Sequence, residues 1–308
     1  MLTLYVGYIA ALATSVAWSA TSILFTLSGR EVDSPVVNRT RLVLALLLVS
    51  LTHWLTEGSL LPVSAEPSRW GWLLLSGVIG FTLGDSFLFQ AFILIGPRLS
   101  MLLMALAPVF SVSLGWLLLG ERLSLLELIG VGITLAGTGL VVTDRRGGNP
   151  GWGSGVQEQT GKHHRLLGVL LGLGGALGQA VGLYFSRLGL AGDFPALSGS
   201  LIRIIAAVVS IWLLTLAQCQ VQPTFEKLRA SPRALWVIAG GAVTGPFIGV
   251  WLSLVAVQHA SLGIASTLMS LSPVILLPAS WFVFRERFGV RAVAGTLMAV
   301  AGTAILFL

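Results

Sequence analysis

Ten apolar runs of about twenty residues each, most of them separated by short polar connections, set the first constraint on this chain: 4–28, 36–55, 70–95, 99–119, 124–143, 166–188, 196–217, 234–258, 261–284 and 289–308. A helix of about 20 apolar residues is the length that crosses the hydrocarbon of a bilayer. Inside lipid every backbone N–H and C=O must be paired within the protein, which leaves helices and closed barrels. The runs are continuous rather than alternating, so helices are predicted. Charge agrees with this reading. Only 10% of the 308 residues are charged, against about 25% in soluble domains, too few to cover a water-soluble surface. The first 29 residues carry no charged side chain; without a basic start, they read as a first span rather than a signal peptide. One cysteine, Cys219, excludes a disulfide scaffold.

One connection differs from the others. Residues 144–165 contain Arg145-Arg146-Gly147-Gly148-Asn149-Pro150, hold no apolar run, and end Lys162-His163-His164-Arg165. This reads as a flexible glycine-rich linker between two units, 1–143 and 166–308. The neighbouring His163 and His164 have no third ligand in view, so no metal is expected. The net charge of +6 reads as topology rather than nucleic-acid binding, because the basic residues sit between apolar runs. Twelve of the loop Lys and Arg residues lie in odd-numbered connections and three in even ones. That bias places the odd connections in the cytoplasm and both termini outside.

The units are duplicates. Residues 70–143 align without a gap on 235–308, an offset of 165, with 16 identities in 74 positions. Ala107-Pro108-Val109 matches Ser272-Pro273-Val274, Trp116 matches Trp281, and Glu121-Arg122 matches Glu286-Arg287. Gly130 matches Gly295 and Ala136-Gly137-Thr138 matches Ala301-Gly302-Thr303, while Arg41 falls against Arg203 after a short loop shift. Two consecutive units of five helices must enter the membrane from opposite sides, so the expected fold is an all-α membrane protein of ten transmembrane helices in two inverted five-helix repeats. Inverted repeats are the architecture of many secondary transporters, with a substrate site near the midplane between the copies.

Ala17-Trp18-Ser19 resembles a first-helix motif in which glycine usually stands at the place of Ser19, and Arg41 with Ala45 resembles a second-helix Arg-x-x-x-Ala. Together with Leu106-Ala107-Pro108-Val109, Leu119-Gly120-Glu121-Arg122 and the repeated Leu271-Ser272-Pro273-Val274, these residues are similar to the EamA domain. The chain resembles a two-EamA-domain carrier of the drug/metabolite transporter superfamily over nearly its whole length, with Arg285 in place of the usual glycine before Glu286. The resemblance implies a ten-helix inner-membrane carrier, often an exporter of amino acids or other metabolites, usually with both termini in the cytoplasm. Sidedness stays open between this and the charge bias.

Charges inside a membrane are costly and mark function or pairing. Asp85 is the deepest, roughly 16 Å from the helix end by the helical rise, and Arg41 lies about 9 Å in from the same side. Asp85 is expected to line a polar cavity, as an amine contact or proton carrier, or to pair with Arg41. Arg41 and Arg203 read as carboxylate anchors or as snorkelling side chains, and Arg39 as interfacial. Trp18, Ser19, Gln179, Tyr184 and Trp251 are candidate pocket residues with the few directing groups a substrate site needs. Pro108 and Pro273, inside helices four and nine, are expected to mark a kink or an unwound turn that acts as a hinge. Ser124-x-x-Glu127 is a capping box; Glu121 and Glu286 read as structural groups near the helix starts that follow them.

No phosphate-binding Gly-x-x-x-x-Gly-Lys-Ser/Thr loop and no His-Glu-x-x-His motif occurs. The expectation is therefore a metabolite transporter without cofactor or metal. Its partners are a small-molecule substrate, the lipid bilayer and, as coupling ion, protons, and it works as a monomer or homodimer. An intramembrane enzyme acting on a lipid-like substrate is the alternative, for which no catalytic constellation is visible.

Overall fold

The computed structural model describes residues 2–29, 31–143, 162–275 and 289–307. Helices account for the regular structure, and no strand occurs among the described residues. In chain order they are α1 (Leu2–Gly29), α2 (Ser34–Glu57), α3 (Pro67–Gly77), α4 (Asp85–Met104), α5 (Ala107–Leu119), α6 (Leu125–Thr143), α7 (Lys162–Gly189), α8 (Ala196–Ala217), α9 (Val221–Ala230), α10 (Pro232–Ala242), α11 (Val250–His259), α12 (Leu262–Met269) and α13 (Val290–Leu306). Among the described residues, seven helical stretches are long and apolar enough to cross a membrane, and three shorter apolar helices accompany them, Ala107–Leu119, Leu262–Ile275 and Val290–Leu306.

Two wide-turned π-helical segments carry the duplication into the backbone. Val78–Gly84 joins α3 to α4, and Val243–Gly249 joins α10 to α11; the second is the first displaced by the 165-residue repeat. Both contain the repeat-matched glycines, Gly80 with Gly245 and Gly84 with Gly249. Such segments are rare and concentrate at functional sites.

Each half lends its first helix to the other. α1 runs antiparallel along α10 and α11: Gly7 meets His259 and Ala260, while Phe25 lies over Gly241. α7 does the same along α3 and α4, with Gly189 against Leu73, Gly182 against Gly80, and Gly168 against Leu94 and Ile95. Gly168, Gly182 and Gly189 of α7 and Gly241 of α10 therefore serve intramolecular packing, where small residues let backbones approach in the absence of a hydrophobic drive between helices. α6 and α13, equivalent helices of the two halves, form the tightest seam. Gly130 faces Gly302 and Gly137 faces Gly295, crosswise and antiparallel.

Three expectations change. The runs at 70–95 and 99–119 divide elsewhere: α4 continues through 96–99 to Met104, and the chain turns at Ala105–Leu106. Gly96-Pro97 is a weak stop here because proline is tolerated in lipid-embedded helices. Secondly, α9 forms inside the connection read as a loop. Val221, Phe225 and Leu228 have helical spacing, and Pro223 lies in the first turn, where its missing N–H costs nothing. Thirdly, α7 begins at Lys162, so 162–165 of the predicted linker are helical; the rest of it, and Trp281, Arg285, Glu286 and Arg287, lie outside the described residues.

Candidate functional site

Arg41 is the centre of a built cluster. Its Nη2 pairs with Asp85 Oδ2 at 2.6 Å, and its Nε donates to Asn38 Oδ1 at 2.7 Å, one turn back on α2. Trp18 and Phe25 of α1 flank the guanidinium, with ring centroids 5.9 and 5.3 Å from Cζ. A buried ion pair holds only if remaining donors are satisfied, and Asn38 and the two ring faces do that. Asp85 reaches Arg41 because it is the first residue of α4, directly after the π-helical segment. Sequence reasoning placed Trp18, Arg41 and Asp85 among the candidates but passed over Asn38, although its i, i+3 spacing from Arg41 puts the two on one face.

Arg203 sits in the second half without such a cluster. It is buried, and its Nε and Nη1 have no hydrogen-bond partner among the described residues. Its Cζ lies 4.8 Å from the ring of Phe81, in the first π-helical segment. Phe81 joins Leu42, Ala207, Ile211 and Val250 in one apolar cluster, against which Trp18 packs. The two arginines thus flank a common apolar wall. Beside it Thr82 and Ser210 share a hydrogen bond between hydroxyls at 2.5 Å.

The other candidates are dispersed. Ser19 donates to Ser272 O at 2.8 Å and to Ser15 O at 2.7 Å, and Ser272 Oγ donates back to Ser15 O at 3.1 Å. The residue that departs from the usual glycine therefore ties α1 to the helix break of the other half. Gln179 lies on α7 with its backbone beside Gly84. Tyr184 packs on Phe185, 5.3 Å between ring centroids, and Trp251 packs with Phe247 against the Leu197–Leu201–Ile204 cluster. No hydrogen bond or cation–ring contact joins Tyr184 or Trp251 to either guanidinium among the described residues.

Pro108 and Pro273 are not kinks inside helices. The chain leaves α4 in a turn at Ala105–Leu106, and Pro108 stands in the first turn of α5. In the second half the turn falls at Ser270–Leu271, after α12, and helix resumes over 272–275, which includes Pro273. Proline suits a helix start, where its N–H would be unpaired anyway. The breaks are repeat-symmetric, displaced by 165.

Arg39 is buried within the protein, donating from Nη1 to Thr224 Oγ1 at 2.9 Å, because α9 folds back over the start of α2. Lys227 of α9 also pairs with Asp33. Ser124 and Glu127 close a reciprocal cap at 2.6 and 3.2 Å. Glu121, read as belonging to the helix that follows it, instead accepts the Leu262 N–H at 2.8 Å and so caps α12 in the other half. Burial pushes the Glu121 carboxyl above its ordinary value of 4.5, against the downward pull of that N–H and of Arg187. The folded state then holds a proton that the unfolded chain has released, so Glu121 makes stability fall as pH rises from about 4.5. Thermal unfolding of Glu121→Gln across about pH 4 to 7 is expected to show a flatter fall than wild type, and parallel curves would remove this assignment.

At the far end of α2, a cavity of about 230 Å³ is lined by residues that include His53, Glu57, Glu66, Arg69, Phe194 and Ser198. His53 is buried there, 2.6 Å from Ser59 O and 3.0 Å from Ser198 Oγ. It contains none of the candidate residues. No group of side chains suited to a metal occurs among the described residues.

The sequence pattern of the EamA-like transporter family matches residues 5–143 and again 166–308. The chain belongs to the EamA-like transporter family. Its apolar helices are those of a multi-pass membrane protein, and its two matched stretches give the two-repeat architecture of an EamA transporter. A protein of Haemophilus influenzae described as an uncharacterized transporter is 28% identical over 171 residues, covering 56% of this chain and 52% of that protein. The chain thus spans about half the length of this relative. A solved crystal structure superposes with a TM-score of 0.75 at 17% identity, covering 97% of this chain and 95% of the other, which speaks for the fold alone.

Proposed function

We propose that this EamA transporter is a secondary carrier of the inner membrane that exports small metabolites such as amino acids. It works by alternating access between two inverted five-helix repeats, 1–143 and 166–308, joined by the connection that follows Thr143 and runs into the start of α7. The observation that carries this reading is the crosswise packing of repeat-equivalent helices. α6 lies antiparallel on α13, and α1 and α7 each lie along the opposite half, the arrangement expected of two copies related by an axis in the membrane plane. Ten crossings follow when the three shorter apolar helices are counted as spans with the seven long ones. Trp18, Ser19, Arg41, Asp85, Gln179, Tyr184, Arg203 and Trp251 line the path between the halves in this reading, and the symmetric breaks before Pro108 and Pro273 act as its hinges.

The test is flux. In reconstituted vesicles, accumulation of an unmodified radiolabelled amino acid is expected, whereas appearance of a chemically altered product would favour an intramembrane enzyme. Asp85 serves as the proton carrier of this cycle. Asp85→Asn is expected to abolish stimulation of flux by a proton gradient, and full transport by that variant at every pH would end the proton role. A C-terminal reporter active only in the cytoplasm decides sidedness, for which charge bias and family habit point opposite ways.

A further inference from the structure

Arg41 and Arg203 hold equivalent places in the two repeats, yet among the described residues only Arg41 of the two has a counter-charge. The repeat offset that carries Asp85 to the second half arrives at Val250. Val250 is buried in the same apolar cluster as Phe81, the ring beneath Arg203, and as Ala207, one turn on from Arg203 along α8. The repeat position that carries the counter-charge in the first half is therefore uncharged in the second, and it lies in the apolar cluster that includes the ring beneath Arg203. Arg203 is 3% exposed, with Nε and Nη1 buried and unpartnered among the described residues. Buried donors without partners are rare and call for an explanation, and an unpaired cation inside a membrane is costly. Next to it Gly80 presents no side chain; a Cβ there would stand 3.6 Å from Nη2.

Taking the carrier reading as its basis, we propose that Arg203 is the anion subsite and binds the carboxylate of the transported solute, replacing in the second half the group that Asp85 supplies in the first. Arg41 is spent on Asp85 and does not take part. Charge selects the ligand class. Arg41 and Asp85 cancel, so one carboxylate on Arg203 compensates the remaining guanidinium of this repeat-related pair, while a dianion leaves an excess negative charge there. A single guanidinium against Phe81 and its apolar cluster suits a carboxylate on an apolar or aromatic body, since a hydrogen bond from a charged donor to a carboxylate is among the strong ones. Val250 is the position that keeps this subsite open.

The experiment uses the full chain purified in detergent and reconstituted in vesicles. The probes are phenylacetate and isovalerate, the amino acids phenylalanine and leucine, and the matching amides phenylacetamide and leucinamide. Binding read by thermal shift is expected for the acids and not for the amides; the free acids and the zwitterions separate the two sources of the carboxylate. Arg203→Met is expected to weaken acid binding by about tenfold or more while raising the melting temperature of the unliganded protein, because the uncompensated cation is gone. A merely structural arginine would lower it. Val250→Asp, which keeps Arg203 but neutralises it, is expected to lose acid binding in the same way, and Val250→Asn far less. Should Val250→Asp fail to fold, Arg203→Met against Arg203→Lys decides, with Lys keeping the preference for acids over amides. Equal binding of acids and amides, acid affinity in Arg203→Met within about twofold of wild type, or no binding of any acid would each overturn the subsite. Vesicle exchange of another solute with no preference for acids would sink the subsite and leave the carrier standing. No exchange of any solute by wild type would sink the carrier itself.

Discussion

Arg41→Met is expected to destabilise the protein by about 3–5 kcal/mol, the usual cost of leaving one member of a buried ion pair alone. Asp85, tied to Arg41 at 2.6 Å, would be left facing an apolar environment with its partner gone. Asp85→Asn should cost less, because the guanidinium keeps the Asn38 acceptor at 2.7 Å and the rings of Trp18 and Phe25. The double variant removes both charges and is expected to recover most of the loss, since an apolar or neutral replacement of a buried pair is often tolerated. A double-mutant cycle by thermal and denaturant unfolding in mild detergent reads the coupling between the two sites. If Arg41→Met melted with wild type, the pair would carry no structural weight and Asp85 would have to be held by something else. The same cycle separates structure from transport. Asp85→Asn that folds but no longer responds to a proton gradient assigns the carboxyl to coupling, beyond pairing.

Gly137→Leu is expected to cost about 3 kcal/mol or more, at or beyond the upper end of overpacking in a close-packed interior. Even a Cβ at Gly137 overlaps Ala299 N and stands 2.6 Å from Gly295 O. Both neighbours are backbone, which cannot rotate away, so α6 and α13 must separate along the seam. Gly132 supplies the control on the same helix. Nothing lies within 4 Å of a Cβ there, and Gly132→Leu should stay within about 0.5 kcal/mol of wild type. Melting temperatures of the two variants in one detergent decide the matter: equal values would mean that the seam is not under this constraint. Because Gly137 and Gly295 belong to opposite repeats, the seam is also where the halves are most firmly joined.

How much of the site is readable from residues alone follows from the range of each interaction. Arg41 and Asp85 come within reach of each other by counting helical rise from a shared end, and the capping box at Ser124 and Glu127 is local by definition. Asn38 beneath Arg41 is local too, and its spacing suffices to find it. Phe81 under Arg203, Thr224 over Arg39 and Leu262 above Glu121 are separated by 122, 185 and 141 positions respectively. No periodicity connects such pairs; only the crossing of α8 with the first π-helical segment, the fold-back of α9, and the approach of the two halves bring them together. The prolines show the same limit. Pro108 and Pro273 signal that a helix is interrupted, but whether proline sits within the bend or begins the next helix depends on where the preceding turn ends.

By itself the amino-acid sequence determines the solvent of this protein, its helices and its duplication. Those follow from the scarcity of charge, the length of the apolar runs and the 165-residue offset, all of which are properties of the chain read along its length. The tertiary structure decides which charges are spent and which remain. Two arginines that are equivalents in the repeat become a paired cation and an unpaired one, because electrostatic compensation depends on what stands a few ångströms away in space: Asp85 beside Arg41, and around the ring under Arg203 the apolar Leu42, Ala207, Ile211 and Val250.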